Sequence, residues 1–95
     1  MNVVWTTGAD ADREDLLESI VENSPAAADE FDELIDSTTW RLACFPAMGK
    51  LGRVAGTREF VAHQRYRIVY CVEDDSITVL AVEHTPRQSR PIYSP

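Results

Sequence analysis

Little in this chain serves the commoner kinds of catalysis. Only two of its 95 residues are cysteine, Cys44 and Cys71, and only two are histidine, His63 and His84. A metal centre needs more of these ligands at short spacing, so neither metal nor cofactor is expected. Two scattered cysteines read as buried thiols. There is no phosphate-binding loop and no dinucleotide fingerprint. No serine or cysteine has a base partner by motif, which leaves nucleophilic catalysis without a signal. No apolar run is long enough to cross a bilayer, and the first residues lack the basic start and apolar stretch of a signal peptide. A cytoplasmic protein with no membrane partner is therefore expected.

Positive charge is also scarce. Nine basic residues face sixteen acidic ones, a formal net charge of −7. The two signs are unevenly spread. Residues 1–40 hold eleven carboxylates against Arg13 alone, a charge of −10, whereas residues 41–95 hold eight basic and five acidic side chains, +3. Such a chain is either a solvated acidic helical face beside an ordinary strand region, or a dipolar molecule whose C-terminal half meets an anionic partner.

The length fits one domain, residues 1–95. "MNVVWTT" is short, apolar and β-branched, and predicts a strand at Asn2 to Thr6. Thr7 with Asp10 three residues on resembles a capping arrangement for a helix reaching Asn23, its apolar stripe being Leu16, Leu17, Ile20 and Val21. In "NSP", Ser24 suits an N-cap and Pro25 the first helical position. A second helix follows to about Leu42, with Ala27, Ala28, Phe31, Leu34, Ile35 and Thr38 at helical spacing. "CFPAMGKLG" reads as a loop, since Pro46 stops the helix and Gly49 and Gly52 allow turns.

From Val54 the period changes to two. "TREFVAH" is a strand, and "RYRIVYCVE" a second with Tyr66, Ile68, Tyr70 and Val72 on one face and Arg67, Val69 and Cys71 on the other. "DDS" turns the chain into "ITVLAVEH", apolar on both faces and so central. The tail over residues 85–95 is too broken by proline for a helix and is expected to be mobile. The fold class is α+β: an N-terminal strand, a helical hairpin and a three-stranded antiparallel meander. Two helices cover one sheet face, leaving Arg67 to project toward the other.

Candidate functional residues gather in the basic half. Arg58, Arg67, His84 and Arg87 come from neighbouring strands and from the end of the last one. The planar arginine fork suits phosphate and carboxylate recognition. The same arginines are placed to pair with Glu59, Glu73 or Glu83 instead, at little net energy. His84 suits acid–base work, or simply a local hydrogen bond. Tyr93 is either a functional hydroxyl or an aromatic anchor for the tail.

"FPAMGKLGRVAGTREFVAHQRYRIVYCVEDDSITVLAVEHTPRQSRP" resembles the RelE/ParE superfamily of toxins from bacterial type II toxin–antitoxin modules. The N-terminal strand with Trp5 and the "SPAAADEF" helix start fall in the family order. "GRVAGTRE", "YRIVY" and "VEHTPRQ" are the most specific parts. The resemblance implies a helical hairpin on an antiparallel sheet and a small growth-inhibiting toxin, of a kind tied to plasmid stabilisation. It also implies neutralisation by a cognate antitoxin, with operator DNA reached only through that antitoxin. Antitoxin contacts are expected at Arg53, Arg58 and Arg67, and target contacts at Arg58, Arg67, His84, Arg87 and Arg90.

The superfamily divides by target. RelE-like members cleave mRNA on the ribosome, and in that branch Arg67, Arg87 and Tyr93 would be the catalytic groups. ParE-like members inhibit DNA gyrase without known nuclease chemistry. Two observations favour the ParE branch. Where RelE-like toxins carry lysines on the preceding strand, this chain has Ala62 and Gln64. The net charge of −7 also opposes binding in a field of ribosomal phosphates. A third possibility is a non-toxic homologue that only binds its antitoxin and regulates their operon.

Overall fold

The computed structural model describes residues 1–85. The elements are β1 (Asn2–Trp5), α1 (Thr7–Asn23), α2 (Pro25–Cys44), a 3-10 turn (Pro46–Met48), β2 (Lys50–Leu51), β3 (Arg58–Ala62), β4 (Tyr66–Val72) and β5 (Ser76–His84). The order is the α+β arrangement expected from the sequence.

Helix boundaries follow from side-chain chemistry. Thr6, one residue before the expected cap, stays extended and accepts the Ala9 N–H at 3.0 Å. Its own N–H still donates to the Val79 carbonyl at 3.1 Å, so the strand ends and the helix begins at this residue. Ser24 serves both helices. Its N–H donates to the Ile20 carbonyl at 2.9 Å, closing α1, while its Oγ accepts the Ala27 N–H at 3.2 Å, opening α2 with Pro25 behind it. Arg13, the one base of the first forty residues, clasps the hairpin by reaching Asp32 and Asp36 at 3.1 and 2.9 Å and lying over the Trp5 ring.

The sheet has five strands in the order β1-β5-β4-β3-β2. The meander β3-β4-β5 is antiparallel, and two strands extend it. β2 adds a two-residue edge within the segment read as a loop, too short to leave an alternating pattern. β1 pairs with β5 in parallel, Val3 beside Ile77 and Trp5 beside Val79, which makes β5 internal. In β5, Leu80 is the extra residue of a bulge, since Val69 faces Ala81 while Tyr70 faces Val79. Beyond the bulge the Val82 N–H donates to Asp12 of α1 at 3.1 Å.

Both helices cover one face. Phe31, Ile35 and Leu42 of α2 bury against Tyr66, Ile68 and Tyr70 of β4 and Ile77, Val79 and Val82 of β5. Leu16, Leu17 and Ile20 of α1 pack at the margin of this core, whereas Val21 is exposed. Among the described residues no helix is long and apolar enough to cross a membrane.

Both cysteines depart from the expected burial. Cys44 is exposed at the last position of α2, and Cys71 is half-buried because β4 turns it to the uncovered face. They are free thiols at surface positions, not core packing groups.

Candidate functional site

The register of β3, β4 and β5 decides which side chains meet. Glu59 stands opposite Val69, Val61 opposite Arg67, and Arg67 opposite Glu83. Directly paired residues share a face, so these five side chains lie together on the face the helices leave uncovered. Cys71, Ala81 and the half-exposed Val4 belong to the same face.

At its centre two arginines and two glutamates alternate. Glu59 Oε2 accepts from the Arg53 backbone N–H at 3.1 Å and from Arg53 Nε at 3.2 Å. Its Oε1 lies 3.5 Å from Arg67 Nε. Glu83 Oε1 accepts from Arg67 Nη1 at 3.0 Å and lies 3.8 Å from Arg53 Nη2. The formal charges of the four groups cancel. Glu59 is buried, with a relative exposure of 7%. The hydrogen bond from the Arg53 backbone holds its carboxyl below the usual carboxylate range. Burial opposes that shift, and the Arg53 and Arg67 guanidiniums reinforce it. Each guanidinium of the cluster is already met by a carboxylate.

The other candidates lie elsewhere. Arg58 is paired with Tyr70 and so belongs to the helix-covered side, where its Nη1 donates to the Gly49 carbonyl at 2.6 Å. The Tyr70 hydroxyl secures the same turn. It accepts the Gly49 N–H at 3.0 Å and donates to the Pro46 carbonyl at 2.7 Å. His84 is exposed at the end of β5, opposite Tyr66, with the ring centroids 5.4 Å apart. Arg53 and Arg67 are thus brought together, while Arg58 and His84 stand at opposite ends of the other face. Arg87, Arg90 and Tyr93 lie outside the described residues.

Three features went unread in the sequence. Glu59 is the hub of the cluster rather than a passing counter-ion. Its role was accessible from the alternation of β3 once Val61 is set against Arg67. Trp40 and Phe45 are exposed at 68% and 66%. Trp40 lies off the buried stripe of Ala28, Phe31, Ile35, Thr38 and Leu42, and that spacing was the available signal.

The α+β fold agrees with the comparisons to known proteins. The profile of the ParE toxin of the type II toxin–antitoxin system parDE matches residues 3–89. The chain belongs to this ParE toxin family. A solved structure described as a chromosomal ParDE TA system from P. aeruginosa shares the fold, with a TM-score of 0.77 at 20% identity over 90% of this chain and 97% of that one. No curated protein sequence matches the chain.

Proposed function

We propose that this toxin inhibits DNA gyrase and is neutralised by a cognate antitoxin in the cytoplasm, binding operator DNA only through that antitoxin. The observation that carries the target choice is the closed set of ion pairs among Arg53, Glu59, Arg67 and Glu83. Message cleavage calls for cationic groups free to stabilise a strained phosphate. Here Arg67, the described arginine that such a route would use, is shared between two carboxylates. Ala62 and Gln64 have uncharged side chains, so neither supplies a cation. An overall charge of −7 adds a long-range penalty against ribosomal RNA. A protein target tolerates that charge better.

The uncovered face is the surface we assign to the antitoxin. It offers Val61, Val69 and Ala81 around the ion pairs, a setting for an amphipathic segment whose acids compete with Glu59 and Glu83 for Arg53 and Arg67. The exposed Trp40 and Phe45 are further anchors of the kind protein partners use.

Pulse labelling after induction, beside a supercoiling assay with purified toxin, tests the reading. The expected result is early loss of DNA synthesis and inhibited supercoiling while translation continues. Immediate arrest of protein synthesis with ribosome-dependent message cleavage and normal supercoiling would overturn it. Unimpaired growth without antitoxin would identify a non-toxic regulator.

A further inference from the structure

The two arginines of the cluster divide their nitrogens between its two carboxylates. Both Nε groups turn to Glu59, Arg53 Nε at 3.2 Å from Oε2 and Arg67 Nε at 3.5 Å from Oε1. Both outer ends turn to one oxygen of Glu83, Arg67 Nη1 at 3.0 Å and Arg53 Nη2 at 3.8 Å. The rigid guanidinium fork allows this, because Nε and the outer nitrogens carry separate N–H donors. Two cations from different segments, the β2–β3 loop and β4, thus converge on a single carboxylate oxygen.

The two carboxylates differ in how firmly they are held. Glu59 is buried and also accepts the Arg53 backbone N–H at 3.1 Å. Taking it away would leave a backbone donor and two guanidiniums without their acceptor. The Glu83 side chain is 43% exposed, and among the described residues its carboxylate is held only by the two guanidinium ends. An ion pair this open to water is worth little, so Glu83 can turn out to solvent at small cost. Arg53, 71% exposed, leaves the same spot open from the loop side.

Resting on the assignment of this face to the antitoxin, we propose that Glu83 is a stand-in ligand. The outer nitrogens of Arg53 and Arg67 form a carboxylate seat. An aspartate or glutamate side chain of the antitoxin takes the seat by displacing Glu83, while Glu59 stays in place and aims both arginines. With Glu83 turned out, Arg53, Arg67 and Glu59 together keep one positive charge, which a single carboxylate neutralises. The surroundings suit a protein carboxylate better than a nucleic-acid phosphate. Val61, Val69 and Ala81 flank the seat on the same face, and the net charge of −7 opposes a polyanion. Glu83 also sets a threshold. A free anion competes poorly with a carboxylate already on the sheet, whereas a segment anchored elsewhere on the face brings its acid at high effective concentration.

Two measurements test the seat and its occupant separately. In the first, Glu83→Ala toxin is titrated with acetate, against chloride at matched ionic strength, and the Arg53 and Arg67 Nε–H resonances are followed by NMR. Saturable shifts of both are expected in the variant and only weak ones in the unmodified chain. No saturable shift in the variant would overturn the seat. In the second, affinity is measured for the antitoxin copurified from the native operon. Glu83→Ala should bind it roughly two- to fivefold more tightly, the worth of the exposed pair it no longer has to break. Glu83→Gln, which keeps the side chain's size, should fall between, and Arg67→Gln should bind more weakly. Weaker binding by Arg67→Gln without tighter binding by either Glu83 variant would overturn the proposal and leave the antitoxin on this face. Indifference to all three substitutions would overturn the assignment of the face and the proposal with it. A gain by Glu83→Ala toward a single-stranded DNA oligonucleotide but not toward the antitoxin would overturn it in favour of a phosphate.

Discussion

Arg53 and Glu59 are joined twice, through the Arg53 backbone N–H at 3.1 Å and its Nε at 3.2 Å, so one buried carboxylate ties the β2–β3 loop to the sheet. This bond lowers the Glu59 pKa from its ordinary 4.5. The folded state therefore binds the Glu59 proton less readily than the unfolded chain. The stability that results is complete above the unfolded-state pKa and is lost as pH falls through the lower, folded-state one. Stability measured by urea unfolding should drop over this acid range, and Glu59→Gln should flatten that part of the profile while lowering stability at neutral pH. An unchanged profile in the variant would show that other carboxylates govern acid sensitivity.

Tyr70→Phe should destabilise the fold by about 1–3 kcal/mol, because it leaves the buried Gly49 N–H without its acceptor. Thermal unfolding checks the value. Gly49→Ala should act in the same direction, since its Cβ would sit 2.6 Å from the Tyr70 hydroxyl and 2.9 Å from the Glu59 carbonyl oxygen. The second contact is with backbone, which cannot rotate aside.

Ser24→Ala should lower stability by about 1 kcal/mol, the usual worth of an N-cap side chain. Amide exchange should quicken at Ala27 and the first turn of α2. Protection at the end of α1 should hardly change, because the bond from the Ser24 backbone to Ile20 survives the substitution.

Ending the chain after Thr85 should abolish growth inhibition and preserve cooperative unfolding. Among the described residues the last buried core residue is Val82, three positions before the cut. Induction assays and a denaturant melt read the two halves of this statement. A broad, non-cooperative melt would place the tail within the core.

Arg67→Gln should weaken antitoxin binding and lower stability by about 1 kcal/mol, a value discounted because the side chain is partly exposed. Copurification with the antitoxin from the native operon measures the first effect and chemical unfolding the second. Binding at full strength would move the antitoxin off the uncovered face.

Local chemistry accounts for what was readable in advance. Ser24 and Pro25 mark a helix start whatever surrounds them, and the alternation of Tyr66, Ile68 and Tyr70 against Arg67 and Val69 follows from the strand period alone. The strand–hairpin–meander order and the placement of Arg67 on the uncovered face depend on nothing longer in range. Tertiary structure decided the rest. The parallel pairing of Val3 with Ile77 joins the two ends of the described chain and leaves no mark on either segment. The one-residue shift from Thr7 to Thr6 at the helix cap depends on the Thr6 bond to Val79. The ion pairs of Glu59 with Arg53 and Arg67 require a loop, two strands and their register together, and composition cannot distinguish them from pairing with Glu73. Interactions between segments distant in sequence are set by register and packing, and those exist only once the sheet has formed.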